Sequence, residues 1–273
     1  MTDPLSRWKI YWQQQPFLMK LWSCIKNRIF PLNCVCCQAA LPHQDDFAFC
    51  SLCRTFWGVI DPKNVCAVCY LPFAEESCLT LNLEKTTGYR SGEFICVRCQ
   101  KTRPSYAFIR APFCYGGSIA SVLHVLKKGD REDLACWLGF FLVVDLESLL
   151  PNVDWVIPVP SHRKKMYIRG YNPVVSLLKA AQPHLLHSMP VLYNSIRRVT
   201  FDPQQGKNFD ERRSLLQRED FSLVSHKLPK IKGMRILLID DVITTGSTVE
   251  AISRLLLQGG AKQVSALALM RAF

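Results

Sequence analysis

Long apolar runs and export signals are absent from this chain of 273 residues. It has no stretch of about 18 consecutive apolar residues, the length that a membrane-spanning helix needs. Its first residues lack an apolar segment followed by a small-residue cleavage site, the pattern of a secretory signal peptide. Since 49% of the residues are hydrophobic, enough to build a sizeable core, we expect a folded cytoplasmic protein.

Acidic residues are also scarce. The chain has 22 Asp and Glu against 34 Lys and Arg, a formal net charge of +12. Within 161–230 there are 13 basic residues against 5 acidic ones, so this segment carries much of the excess. The charge favours a polyanionic partner such as nucleic acid or a phosphorylated ligand. A scattered, solvated basic surface is the alternative interpretation.

Disulfides would be one use for 13 cysteines, but they are rare in cytoplasmic proteins. Eight of the cysteines form four Cys-x-x-Cys pairs, which are Cys34 and Cys37, Cys50 and Cys53, Cys66 and Cys69, and Cys96 and Cys99. Each pair places two sulfurs on one side of a tight turn, and two pairs make a closed tetrahedral zinc site. We therefore predict one or two structural Zn²⁺ ions.

The assignment of pairs to sites stays open at this point. Joining neighbouring pairs gives one quartet from 34–53 and a second from 66–99. A crossed pairing fits the same spacing, and Cys36 and Cys78 are further sulfur donors, although both break the two-residue spacing. Redox chemistry at a Cys-x-x-Cys pair is the alternative function, and the density of four pairs favours metal binding over it.

The chain divides into three predicted parts. Residues 1–33 form an amphipathic N-terminal helical segment, 34–103 a cysteine-rich zinc-binding module, and 104–273 an α/β domain. Within 17–30, apolar residues recur at helical spacing between basic residues. This pattern occurs in helices that contact a membrane surface, and more often in helices that pack on their own protein.

Apolar segments of strand length alternate with segments of helical periodicity in 104–273, which predicts a parallel sheet covered by helices. The predicted strands lie within 105–115, 154–159, 190–196, 235–239 and 264–270. The predicted helices cover 117–126, 132–149, 171–186 and 246–258, and 203–218 is either a polar basic loop or a helix.

The most informative segment is 235–248, where an apolar strand ends in two acidic residues and a hydroxyl-rich turn opens a helix. Backbone N–H groups at a helix N-terminus, helped by hydroxyls, bind phosphate. The turn predicted to do so consists of Thr244, Thr245, Gly246, Ser247 and Thr248. The carboxylates of Asp240 and Asp241 suit sugar hydroxyls, or a Mg²⁺ ion held together with oxygens of the ligand. A simple helix cap beside two solvated acids is the alternative.

The same segment resembles the phosphoribosyl pyrophosphate (PRPP) signature of type I phosphoribosyltransferases. The resemblance implies that the turn 244–248 holds the 5′-phosphate of PRPP, while Asp240 and Asp241 hold the ribose hydroxyls. The pyrophosphate then needs a cationic loop at the end of a neighbouring strand, where ligands of open α/β sheets collect. The candidates, which follow the strand at 154–159, are Ser161, His162, Arg163 and Lys164. An exposed basic turn is the alternative interpretation of this loop.

Several motifs, taken in their order, resemble the competence protein ComF family. They follow the cysteine module and comprise 126–130, 156–160, 169–172, the spacing of Gln205 and Arg213, and 240–246. The resemblance spans about 30–273. It implies a type I phosphoribosyltransferase-like parallel sheet flanked by helices, with a small N-terminal zinc-ribbon-like module.

The resemblance also implies a function. ComF proteins act in DNA uptake during natural transformation, so we expect PRPP and Mg²⁺ binding and the handling of incoming single-stranded DNA. The expected location is the cytoplasm, peripheral at the inner membrane, with DNA-uptake proteins as partners and a membrane contact through 17–30. An active phosphoribosyltransferase of nucleotide metabolism and a non-catalytic DNA-binding protein that retains the fold are the alternatives. The sequence identifies no catalytic residue.

Overall fold

The computed structural model describes residues 33–41, 49–73, 94–128, 131–161, 163–198 and 221–273. The amphipathic segment predicted within 1–33 and the polar segment 203–218 therefore lie outside the described residues. The α-helices are α1 (Ser51–Thr55), α2 (Val97–Lys101), α3 (Gly117–Lys128), α4 (Ala135–Phe140), α5 (Val143–Leu149), α6 (Arg163–Arg169), α7 (Pro173–Ala181), α8 (Leu228–Ile231) and α9 (Ser247–Gln258). The strands are β1 (Ile109–Arg110), β2 (Phe113–Cys114), β3 (Trp155–Pro158), β4 (Ile196–Arg198), β5 (Phe221–Leu223), β6 (Arg235–Ile243) and β7 (Gln263–Arg271).

The main sheet is parallel and has the order β1-β7-β6-β3, with β2 also pairing with β7. In the centre, β6 pairs Ile236 with Trp155 of β3 on one side and with Val264 of β7 on the other. Helices α3, α4, α5 and α7 pack on one face and α9 on the other. Because both faces are covered, the apolar run of β6 is buried throughout, as the sequence pattern predicts.

The segment predicted as a strand at 190–196 divides between two partners. Val191 makes a single parallel bridge to Val156 at the edge of the main sheet. A turn follows at Asn194, whose φ is +53°. The chain then enters β4, which pairs antiparallel with β5 from Ile196 onward. The predicted single strand is therefore a short edge contact followed by a strand of a separate two-stranded sheet.

The helix predicted over 132–149 is broken. The segments Glu132–Phe140 and Val143–Asn152 meet at an angle of 56°. Phe141 and Leu142 lie in the break and are buried, so the bend lets both halves pack on one core instead of leaving it along a straight axis. Among the described residues, no single helix has the length and hydropathy of a membrane span, and only this bent pair meets both when its halves are taken together.

The cysteine-rich module shares its core with the sheet. Trp57, which is 6% exposed, packs edge-on against Phe113 of β2 and Phe141, with ring centroids 5.6 and 5.0 Å apart. Ile60 N donates to Pro112 O at 2.9 Å, which adds a backbone contact beside the aromatic one. The module is therefore expected to unfold together with the domain.

Replacing Trp57 by Ala tests this shared core. We expect the free energy of unfolding to fall by about 3–5 kcal/mol, the usual cost of emptying a buried aromatic site. The measurement is urea denaturation followed by both tryptophan fluorescence and far-UV circular dichroism. The control is Phe56→Ala, since the neighbouring Phe56 is 62% exposed and its loss should change stability by only about 0.5 kcal/mol. Two separate transitions, with only one moved by Trp57→Ala, would contradict the shared core.

Candidate functional site

The carboxyl end of β6 carries the two acids of the phosphate motif. The sequence predicted that this strand ends at Ile239, whereas β6 continues to Ile243. It continues because β7 runs on beside it, with Asp240 opposite Ala268 and Ile243 opposite Arg271. Sheet pairing, and not a loop, therefore fixes the backbone of the acidic pair.

The turn after β6 enters α9 through Gly246. Its φ of +79° is a left-handed conformation that glycine adopts without strain. Glu250 N donates to Gly246 O at 2.9 Å, which starts the helical ladder and leaves the first N–H groups of α9 without a carbonyl acceptor in the helix. Thr245 and Ser247 are exposed, and their hydroxyls bond to each other at 2.9 Å. The turn thus presents the groups that the sequence predicted for a phosphate.

Lys127, at the end of α3, lies against the acidic pair. Its Nζ donates to Asp241 Oδ1 at 2.7 Å, with the two side chains 25% and 14% exposed. Asp240 Oδ1 accepts the backbone N–H of Asp241 at 2.8 Å. Burial, and next the charge of Asp241, raise the pKa of Asp240 to about 7, although Lys127 and Arg198 act in the opposite direction. One carboxylate is thus ion-paired, and the other ionises near neutral pH.

The contact between Lys127 and the acidic pair was not predicted from the sequence. The sequence indicated Lys127 only as part of the motif 126–130. Lys127 and Asp241 are 114 positions apart in the sequence, so no local pattern would reveal this contact. Hydrogen bonds from two side chains, one just before α7 and one within it, fix the backbone end of α3 and the segment that follows Lys127. Tyr171 OH donates to Leu126 O, and Ser176 Oγ donates to Glu132 Oε1 at 2.6 Å. The position of the ammonium group therefore depends on tertiary packing.

The end of β3 lies beside the acidic pair, because Val159 N donates to Ile239 O at 2.8 Å. Ser161 follows, and its Oγ donates to Asn172 Oδ1 at 3.1 Å. The same oxygen accepts Val174 N at 3.0 Å and caps α7. The structure thus brings Ser161 to the sheet edge that carries Asp240 and Asp241, as predicted for a pyrophosphate loop.

The other candidates for that loop are only partly described. His162 lies outside the described residues, and so do the side-chain positions of Arg163 and Lys164. The backbone of Arg163 and Lys164 forms the first turn of α6, where the sequence analysis expected a loop. Their assignment to pyrophosphate stays a prediction.

Arg271 joins this edge to the cysteine-rich module, a role that the sequence did not reveal. It is 1% exposed, and burial lowers the pKa of its guanidinium. Its Nε donates to Cys69 O at 3.1 Å. Its Nη1 donates to Ile243 O at 2.9 Å and also to Thr244 O. One buried cation therefore bonds to the entrance of the phosphate turn and to a loop of the module.

The eight paired cysteines form two clusters with the neighbouring pairing. In each cluster the four sulfurs lie within 4.8 Å of one another. The contacts between pairs, Cys37 Sγ to Cys50 Sγ and Cys69 Sγ to Cys96 Sγ, are 3.6 Å. Sulfurs at about 2.3 Å from a tetrahedral Zn²⁺ lie about 3.8 Å apart, so both clusters fit a structural zinc ion. The crossed pairing does not occur.

The backbone around the clusters favours thiolates. Burial acts to raise the pKa of Cys34 and Cys66, but hydrogen bonds from backbone N–H groups outweigh it and lower these pKa values to about 6 and about 7. The donors include Cys50 N and Cys96 N, each 3.3 Å from the sulfur that it contacts. Burial raises the pKa of Cys53, Cys69 and Cys99 in the same clusters. The backbone therefore favours the thiolate, the form that binds zinc, at one cysteine of each quartet.

The clusters repeat one local design. The residue after the second cysteine of each turn, Gln38 or Tyr70, has a positive φ of 63° or 59°. The other two ligands come from the start of a short helix, where Cys50 precedes α1 and Cys96 precedes α2. In the sequence, this repeat is visible only in the cysteine pairs, because the residues between them differ.

Comparisons with known proteins agree with this architecture. The phosphoribosyl transferase domain family matches residues 175–272. The DNA utilization protein YhgH of Salmonella typhi is 28% identical over 234 residues, covering 81% of this chain and 96% of the relative. The competence protein ComFC of Streptococcus pneumoniae is 28% identical, covering 72% and 89%. Competence protein F of Haemophilus influenzae is 36% identical over 118 residues, covering 43% and 50%.

The chain is thus similar to proteins named for competence and DNA utilization, among them ComFC, and it contains a phosphoribosyl transferase domain. Its phosphoribosyltransferase-like sheet, with two cysteine clusters before it, confirms the predicted fold class. Among solved structures, the phosphoribosylpyrophosphate synthetase of Mycobacterium smegmatis is 20% identical with a TM-score of 0.30, over 49% of this chain and 33% of that structure. A TM-score of this size supports no conclusion about this chain.

The cysteine geometry predicts that this chain binds two zinc ions. Cys37→Ser and Cys96→Ser should each lower the zinc content from two ions to one, since each removes one ligand from a separate quartet. Native mass spectrometry of the full chain measures the content. Cys36→Ser and Cys136→Ser are the controls and should keep both ions, because neither residue belongs to a cluster. Loss of both ions from one substitution would contradict independent sites.

The raised pKa of Asp240 predicts a gain in stability on Asp240→Asn. Between the ordinary pKa of 3.8 and the folded value of about 7, the folded chain holds a proton that the unfolded chain has lost. Stability due to this group is therefore present below pH 4 and lost as the pH rises through 7. At pH 8 Asp240→Asn should raise the free energy of unfolding by about 1–3 kcal/mol, a discounted conversion of the shift.

Urea denaturation at pH 4 and pH 8 measures this difference. The gain should vanish at pH 4, where Asp240 is protonated in the folded chain. Asp133→Asn is the control, since Asp133 is exposed and pairs with Arg131 at the surface. A less stable Asp240→Asn variant at pH 8 would refute the raised pKa of this carboxyl group.

Proposed function

We propose that this chain binds PRPP at the edge formed by β3, β6 and α9, and that it acts in DNA uptake during natural transformation. In this role it handles incoming single-stranded DNA in the cytoplasm. One observation carries the proposal: a hydroxyl-rich helix N-terminus directly follows a half-buried pair of acids on the central strand.

Each part of PRPP has a matching group at this edge. The first N–H groups of α9 and the hydroxyls of Thr245 and Ser247 suit the 5′-phosphate. The carboxylates of Asp240 and Asp241 accept hydrogen bonds from the two ribose hydroxyls. The pyrophosphate then extends toward Ser161 at the end of β3. Charge places the ribose beside the acids, since they repel either phosphate from that position.

Mg²⁺ fits the same residues. One or two carboxylates together with ligand phosphates are the usual magnesium environment in proteins, and Asp240 and Asp241 provide such a pair. A bound Mg²⁺ ion would neutralise part of the negative charge of the pyrophosphate. The ammonium group of Lys127, now 2.7 Å from Asp241 Oδ1, is then available to the ligand phosphates. Lys127 thus keeps the acidic pair compensated before the ligand arrives.

The DNA-uptake part of the proposal is supported by the relatives. Curated relatives that this chain matches are named for competence and for DNA utilization. The basic excess of the chain agrees with a polyanionic partner. Peripheral attachment to the inner membrane through 17–30, and contact with DNA-uptake proteins, belong to the same proposal.

Calorimetric titration of PRPP into the full chain, with and without Mg²⁺, tests the proposal. The wild type should bind PRPP with Mg²⁺, and Asp240→Asn/Asp241→Asn should weaken binding about 100-fold, because two charge-assisted interactions are lost. The double variant Asp61→Asn/Asp133→Asn is the control, since it removes two exposed acids without touching the site. Ribose 5-phosphate should still bind the wild type, because the turn holds the 5′-phosphate. Unchanged PRPP affinity in the Asp240/Asp241 double variant would refute the proposed site.

A further inference from the structure

A second concave feature lies beside the amino end of β3. It is a recess of about 530 Å³ whose lining includes Trp155, Tyr193, Arg197, His226, Lys227 and Lys230. Its walls come from the start of β3, from the turn before β4, and from the segment that leads through α8 into β6. We call it the basic recess.

The basic recess is separate from the proposed PRPP site. Trp155 is paired with Ile236 at the start of β6, and Asp240 lies four residues further along that strand. At about 3.3 Å per residue, the two levels are roughly 13 Å apart along the sheet. Neither the acidic pair nor the phosphate turn lines the recess.

The recess is positively charged, and no acidic residue among its described lining residues neutralises this charge. It contains two lysines, an arginine and a histidine, and no carboxylate. Within the described part of the chain, Arg197, Lys227 and Lys230 form no ion pair with an acid. The adjacent Asp154 is itself paired, since Arg235 Nη2 lies 3.0 Å from its Oδ1. The recess therefore favours an anion.

Aromatic rings lie among these cations. Lys230 Nζ lies 6.0 Å from the centroid of the Trp155 ring, and Tyr193 is 37% exposed. Stacking on an aromatic ring is the sequence-tolerant way in which proteins hold unpaired bases, and cations along the same groove hold the backbone. A lone phosphate would need the cations and not the rings. The bases of a duplex are paired and stacked on one another, so they could not stack on these rings.

We propose that the basic recess is a contact site for single-stranded DNA, with Arg197, Lys227 and Lys230 on the phosphates and Tyr193 stacked on a base. The inference deepens the proposed function and rests on its DNA-handling part. It assigns DNA to a surface on which PRPP has no contact, so the two ligands bind without competing.

The test is the affinity of the full chain for a labelled oligothymidylate of about 20 nucleotides, long enough to span one binding site, measured by fluorescence anisotropy over a range of salt. Arg197→Ala/Lys227→Ala/Lys230→Ala should weaken binding about tenfold or more. It should also reduce the slope of log affinity against log salt by about 2, from three lost phosphate contacts. Tyr193→Ala should lose about tenfold and Tyr193→Phe should retain most of the affinity, because phenylalanine still stacks.

The matched control is Lys63→Ala/Lys101→Ala/Lys179→Ala, which removes the same charge from exposed positions elsewhere. An equal loss in this control would overturn the recess as a specific site, and so would wild-type affinity in the recess variant. Thymidine monophosphate that binds as tightly as the oligonucleotide, or a duplex that binds as tightly, would also overturn it. Calorimetry with PRPP on the recess variant should give the wild-type affinity and shows that the variant is folded.

The two proposals fail in different ways. A wild type that binds PRPP but no single strand removes both the recess and the DNA-handling role. A wild type that binds the strand with the recess variant unaffected removes the recess alone. Loss of PRPP binding in the Asp240/Asp241 double variant has no bearing on the recess.

Discussion

The parallel pairing of β6 with β3 and β7 is the constraint on which the candidate site depends. Parallel strands end at the same edge, so the pairing brings Ser161, which follows β3, to the acids of β6. It also holds Asp240 inside the sheet, where burial raises its pKa to about 7. A phosphate turn, an acidic pair and a neighbouring loop thus meet because three strands share one direction, as ligand sites in open α/β sheets generally do.

Two cations stabilise this edge, the partly exposed Lys127 and the buried Arg271. Lys127 compensates Asp241, and Arg271 bonds to Ile243 O where β6 ends and to Cys69 O in the module. A buried guanidinium is stable only when its N–H groups are hydrogen-bonded. The turn that contains Cys69 therefore supplies one of the acceptors that the Arg271 guanidinium needs. This contact gives the cysteine-rich module a structural reason to accompany a phosphoribosyltransferase-like domain, apart from any contact of its own with DNA.

Features that arise from local sequence could be predicted. The start of β6, the start of α9 at the hydroxyl-rich turn, and the eight paired cysteines each depend on neighbouring residue types, and the structure has them where the sequence indicated. The end of β6 and the choice between the two cysteine pairings were not fixed by the sequence. The break in the helix predicted over 132–149 could not be predicted, because apolar residues continue through it and only packing on the core decides where the chain bends. The contacts of Lys127 and Arg271 were missed for a related reason. Their partners lie 114 and 28 residues away, with no periodicity that connects them.

Electrostatics separates the two proposed ligands. A DNA strand at the PRPP edge would place phosphates beside Asp240 and Asp241, and at 4 Å like charges repel by roughly 4 kcal/mol in a partly buried setting. In the proposed binding mode, the ribose hydroxyls of PRPP and a Mg²⁺ ion would lie between these acids and the phosphates. A polynucleotide has no such arrangement along its backbone. The cations beside the amino end of β3 offer the strand a recess with no acid among its described lining residues, so one sheet can present a sugar-phosphate site at one end and a backbone-binding site at the other.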